Sequence, residues 1–183
     1  MSVGRPRGCP QTDMNTFRRF ILVVGLAILG SISLQAQTSL AGLDGTRVNI
    51  ESQRGKVVVL AVGASWLPLS DKQAEFTNAL ARKYAGKNVV FYFVATDSTN
   101  PRSKNFASNE MIQKFVASTK LSVPVLRDSD GAATLKQFEV EQLPSFVILD
   151  KTGKQAGEAF GGIDPKFDIT VPISKVIDRS LAN

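Results

Sequence analysis

Two unbroken apolar runs constrain this chain more than any other feature. Residues 56–62 read Lys-Val-Val-Val-Leu-Ala-Val, and residues 88–96 read Asn-Val-Val-Phe-Tyr-Phe-Val-Ala-Thr. Both have strand length and β-branched or aromatic composition, and neither alternates with polar residues. A strand with one wet face alternates, whereas a strand covered on both faces does not. These runs therefore belong at the centre of a sheet with helices packed on it. Between them Leu69, Phe76, Leu80 and Tyr84 fall on one helical stripe that ends at Gly86, a residue suited to stopping a helix.

The rest of the chain follows the same alternation. Asp44-Gly45 is a hairpin signal between short segments carrying Leu40, Leu43, Val48 and Ile50. Residues 97–104 are polar and loop-like, with Asn100-Pro101 as a turn. A second helix carries Ile112, Phe115, Val116 and Thr119, and residues 123–126 read as a short strand that Pro124 places toward a sheet edge. A brief helix over 132–138 leads to Leu143-Pro144 and a strand over 146–149. The turn Asp150-Lys151-Thr152-Gly153 follows, then a returning strand over 155–160. The chain ends in a helix with Ile173, Val176, Ile177 and Leu181 on one face and Pro172 near its first turn. Alternating strands and helices closed by a hairpin and a helix give an α/β layered fold in one domain, residues 37–183.

Residues 1–36 read as an export signal. Arg18 and Arg19 precede fifteen apolar and small residues, 20–34, and Leu34-Gln35-Ala36 offers a cleavage site after Ala36. Fifteen residues is short for a membrane-spanning helix, which needs about 20, so a membrane role rests only on an uncleaved signal. Met14 supplies an alternative start with a cleaner signal. The expected location is the periplasm or the outer side of the membrane.

The chemistry is bounded by what is missing. The 183 residues include no histidine and a single cysteine, Cys9, which precedes the apolar run. A Cys/His zinc site, a Cys–His nucleophile and a Ser-His-Asp triad are therefore excluded for residues 37–183. The formal charge of +6 falls to +3 over residues 37–183, which hold 18 of the 22 bases and 15 of the 16 acids. Those bases are scattered and do not interleave with aromatics, so no nucleic-acid surface is expected. The acidic turn with Asp128, Asp130 and Gly131 lacks the remaining ligands of a calcium loop, and no cofactor is expected.

Five segments, in order, resemble the thioredoxin-like superfamily, specifically the exported TlpA-like and ResA-like thiol–disulfide oxidoreductases. They are Leu43-Asp44-Gly45, residues 54–60, Ala64-Ser65-Trp66, residues 126–131, and residues 140–153 around Leu143-Pro144. The resemblance covers most of residues 40–182 and implies a central mixed sheet flanked by helices, with an N-terminal β-hairpin. It also implies a cis peptide at Leu143-Pro144. The departures fall at the chemistry. Leu67 and Ser70 stand where the family's two cysteines would be, and Ala61 stands where it usually carries a proton-relaying acid. Dithiol exchange needs a thiolate to attack and a second thiol to resolve the mixed disulfide. Ser70 has no histidine to activate it, and Lys72, two residues on, does not share its helix face. Ser70 is expected to bond local backbone in the first helical turn.

The resemblance implies that extended polypeptide lies across the cis-proline loop and the former active-site turn. On that basis Trp66, Leu67, Pro68, Leu69 and Ser70, with Leu143 and Pro144, form the candidate binding site for a polypeptide client or envelope partner. Two other readings stand beside it. One is a scaffold whose working surface lies elsewhere, such as the 97–110 loop. The other is a residual redox enzyme, which would need chemistry without cysteines.

Overall fold

In the computed structural model, residues 57–63 of the first apolar run form strand β3 (Val57–Gly63), with every residue buried. Odd positions Val57, Val59 and Ala61 join one hydrophobic cluster, and even positions Val58, Leu60 and Val62 join a second. This is the period of two of a strand whose faces are both covered, and it explains why the run could not alternate. The structure describes residues 38–183 together with Met1 and Gly4. The export-signal reading, with Cys9 and Met14, lies outside the described residues.

β3 sits within a seven-stranded sheet of order β2-β1-β5-β4-β3-β6-β7. The strands are β1 (Ser39–Gly42), β2 (Arg47–Asn49), β3, β4 (Val89–Ala95), β5 (Val125–Arg127), β6 (Ser145–Leu149) and β7 (Phe160–Gly161). β3, β4 and β5 run parallel to one another, and the remaining pairs are antiparallel. Helices α1 (Ser70–Lys83), α2 (Asn109–Thr119) and α4 (Thr170–Ala182) bury Phe76, Leu80, Tyr84, Ile112, Ile173 and Ile177 in the first cluster. The opposite face is covered by Leu40, Ile50, Phe138 and Val140, near the short helix α3 (Thr134–Gln137). Among the described residues no helix is long and apolar enough to cross a membrane.

Two strand expectations are corrected. β5 is interior, not an edge, because β1 pairs with it antiparallel (Ala41 opposite Arg127, Gly42 opposite Leu126). Pro124 causes no conflict, since it precedes the paired residues and its carbonyl accepts from Phe93 N–H at 3.0 Å. The returning strand over 155–160 is split. Asp150 Oδ1 anchors the turn by accepting from Thr152 N–H (2.8 Å) and Thr152 Oγ1 (2.6 Å). Gln155 then bridges Leu149, but pairing resumes only at Phe160, with Gly157 at φ +94° in the gap. A backbone in that region leaves the ladder, and glycine tolerates it.

Candidate functional site

The site grows from the carboxyl end of β3. Its register against β6 places Val62 opposite Ser145, which brings the Leu143–Pro144 loop beside the turn that leaves Gly63. The Leu143–Pro144 peptide is cis. From Gly63 the chain makes two tight turns, with Leu67 N–H donating to Ala64 O (3.1 Å) and Ser70 N–H to Leu67 O (3.0 Å), and then enters α1.

Asp97 holds this turn from below. It lies two residues past the end of β4, is fully buried, and its carboxylate accepts from Ser65 N–H at 3.0 and 3.1 Å and from Ser65 Oγ at 2.6 Å. Arg127 fixes the segment carrying it, donating to Asp97 O (3.3 Å) and Ala107 O (2.9 Å). The polar character of residues 97–104 hid this role. The available signal was position: Asp97 lies just past a buried parallel strand, and sites in α/β sheets gather at the carboxyl ends of strands.

Gln73 ties the helix to the sheet. Its Nε2 donates to Val62 O (3.1 Å) and to Ser145 O (2.7 Å), spanning two adjacent strands from α1. Its Oε1 lies so close to Gly63 that any side chain there would collide with it. Glycine at 63 is thus a packing requirement of this helix–strand contact.

The predicted site residues divide by exposure. Trp66 is 50 % exposed and Pro68 is exposed, while Leu67, Leu69 and Leu143 are half-buried. Leu67 and Leu69 have therefore not turned fully inward. Ser70 and Pro144 are buried, so Ser70 contributes no surface to a ledge. The expectation that Ser70 bonds local backbone is also corrected, because its Oγ has no hydrogen-bond partner among the described residues. The hydroxyl is enclosed between α1 and Gly63, 3.3 Å from where a Cβ at 63 would sit. Lys72 is turned to Glu75 (2.7 Å) and lies over the Phe76 ring (4.9 Å).

Ser70 Oγ has no base within hydrogen-bond distance among the described residues, which an activated serine would need. No group of three or more Asp, Glu, His or Cys side chains able to hold a metal occurs among the described residues. The acidic turn noted in the sequence has a structural use: Asp128 accepts from Thr134 N–H (2.7 Å), Thr134 Oγ1 (2.6 Å) and Ala133 N–H (3.0 Å), capping α3. Leu143 contributes backbone. Neither its N–H nor its C=O has a hydrogen-bond partner among the described residues.

Comparison with known proteins places this geometry. The Redoxin family pattern matches residues 30–158. The thiol–disulfide oxidoreductase ResA of Bacillus thuringiensis subsp. konkukian is 29% identical over 119 residues, which span 65% of this chain and 63% of that protein. The match thus covers less than two thirds of the length of that relative. Among solved structures, a putative thiol:disulfide interchange protein DsbE from Chlorobium tepidum superposes with a TM-score of 0.66 at 23% identity, covering 79% of this chain and 93% of that one. A secreted disulfide oxidoreductase of Mycobacterium tuberculosis gives 0.61 at 22% identity, covering 78% and 96%. On the sequence match the chain belongs to the Redoxin family, and the sheet order and the solved structures it superposes on give it a thioredoxin-like fold.

Proposed function

We propose that this chain is an exported member of its family that has given up dithiol exchange and holds an extended polypeptide at the former active-site edge. The observation that carries the reading is the pairing of loss and retention. Residues 37–183 contain no cysteine, and Leu67 and Ser70 stand where the resemblance places the two thiols, while Asp97 holds the turn and the Leu143 loop lies beside it. An apolar ledge of Trp66, Leu67, Pro68 and Leu69 beside an unpaired backbone N–H and C=O suits an extended chain. Main-chain hydrogen bonds to Leu143 supply affinity, and the ledge receives apolar side chains.

Export is supported by the order of residues 18–36 and by the descriptions of two structural neighbours. One is a secreted oxidoreductase and another an exposed lipoprotein thioredoxin of Streptococcus pneumoniae. The test is partner capture from an envelope extract by the exported form and by its Leu67→Asp variant. A partner lost in the folded variant supports the ledge. Equal capture by both moves the working surface elsewhere.

A further inference from the structure

Beside Leu143 lies a second feature that the ledge does not use. A cleft of about 520 Å³ opens between β6, β7 and the segments around 139–142 and 155–159. Three exposed glutamates, Glu139, Glu141 and Glu158, belong to its lining, and no lysine or arginine does, although residues 37–183 are net basic. Ser145 lies in it as well. Along β6, residues 145, 147 and 149 share the sheet face that carries Phe138 and Val140, the face on which the cleft opens. The Ser145 hydroxyl is fully buried and has no hydrogen-bond partner among the described residues. A buried hydroxyl left unpaired is costly, and it gains most from a ligand able to complete it.

The walls are held in place. Gln142 rests on β7, with Oε1 2.7 Å from where a Cβ at Gly162 would lie and Cβ 3.3 Å from one at Gly161. A side chain at either position would push that exposed amide aside. Gln155 Nε2 donates to Phe138 O at 3.3 Å, joining the opposite wall to the end of α3.

Charge and donor pattern select the occupant. The carboxylates repel an anion, and the polar lining offers an apolar group little. No metal-holding group of three carboxylates is present among the described residues. A cationic side chain rich in N–H donors satisfies the carboxylates, the amide oxygens and the Ser145 hydroxyl together. Gln142 and Ser145 bracket Leu143-Pro144 along the chain, so a strand lying across Leu143 can turn one side chain into the cleft. We infer that the bound polypeptide inserts a basic residue, arginine above lysine, into this acidic cleft. The inference rests on the polypeptide reading and names the residue that the partner must carry.

The test uses two extended peptides, acetyl-Thr-Val-Arg-Val-Thr-amide and its citrulline counterpart, which keeps the shape and loses the charge. Binding to the exported form is measured by calorimetry and by fluorescence of Trp66, the only tryptophan. The arginine peptide is expected to bind at least about tenfold more tightly, as charge-assisted hydrogen bonds imply. Glu141→Gln with Glu158→Gln should remove most of that preference, and Leu67→Asn should weaken both peptides alike. If the two peptides bind within twofold while Leu67→Asn still weakens both, the cleft inference is overturned and the polypeptide reading survives. If neither peptide binds, both are overturned.

Discussion

Removing the Asp97 carboxylate should loosen the turn at residues 64–70 by an amount that can be worked from its contacts. Three short contacts, from Ser65 N–H at 3.0 and 3.1 Å and from Ser65 Oγ at 2.6 Å, converge on that fully buried group. A hydrogen bond to a charged group contributes about 1.5–3 kcal/mol, and an N–H left unsatisfied costs about 1–3 kcal/mol. Ser65→Ala removes only the hydroxyl, at a half-buried position where water partly replaces it, so about 1–2 kcal/mol is expected. Asp97→Ala strips the acceptor from both donors and leaves a small cavity, while returning the desolvation cost of the carboxylate. A loss of about 3 kcal/mol follows, or roughly 6–12 °C in Tm for a domain of this size. The double variant should lose little more than Asp97→Ala alone, because the hydroxyl then has no partner to lose. That is a coupling of about 1–2 kcal/mol. Equilibrium urea unfolding followed by Trp66 fluorescence measures all three. A loss below about 1 kcal/mol for Asp97→Ala, or single effects that simply add, would refute the assignment of Asp97 as the support of the turn.

Ser70→Ala should leave stability unchanged or raise it by up to about 1 kcal/mol, since it deletes a buried hydroxyl without a partner among the described residues; a clear loss in urea unfolding would show a partner for Ser70 Oγ. Burial, reinforced by Asp178, raises the Tyr84 phenol above the ordinary value of 10.0. The unfolded chain therefore releases this proton first, and the contribution is complete below pH 10.0 and lost as pH rises through the higher folded value. Stability measured from pH 9 to 11 should fall with pH, and Tyr84→Phe should flatten the slope but leave the part due to Tyr92, which burial also raises; an unchanged slope would contradict this. The mature chain recovered from the envelope should begin at Gln37, read by mass spectrometry, and an intact N-terminus would refute cleavage after Ala36.

The sheet centre was legible because its physics is local in sequence. Residues 57–63 and 89–95 advertise burial on both faces by lacking polar alternation, and the stripe through Phe76, Leu80 and Tyr84 advertises the helix that covers them. The position of β5 was not legible. It depends on β1, more than eighty residues earlier, and local rules saw only Pro124. Asp97 opens a polar stretch, and composition alone does not show that it lies buried against Ser65; its place just past the carboxyl end of β4 is the only local signal. The acidic cleft is harder still, since Glu139, Glu141 and Glu158 become one lining only when β6 and β7 fold back on each other. Ser70 shows the opposite error. Its helical position was read correctly, but propensity for local hydrogen bonding did not predict a hydroxyl enclosed without a partner.

The most direct measurement is insulin reduction in the presence of dithiothreitol, with the natural chain and Leu67→Cys/Ser70→Cys assayed side by side. Residues 37–183 with their natural sequence should match the uncatalysed rate, because a leucine and an unactivated serine can neither attack nor resolve a disulfide. The double-cysteine variant should turn over well above background if, as proposed, the turn at residues 64–70 keeps the frame of the family's thiol site. Turnover by the natural chain would contradict the account, and an inactive but folded double-cysteine variant would show that the frame itself had been lost.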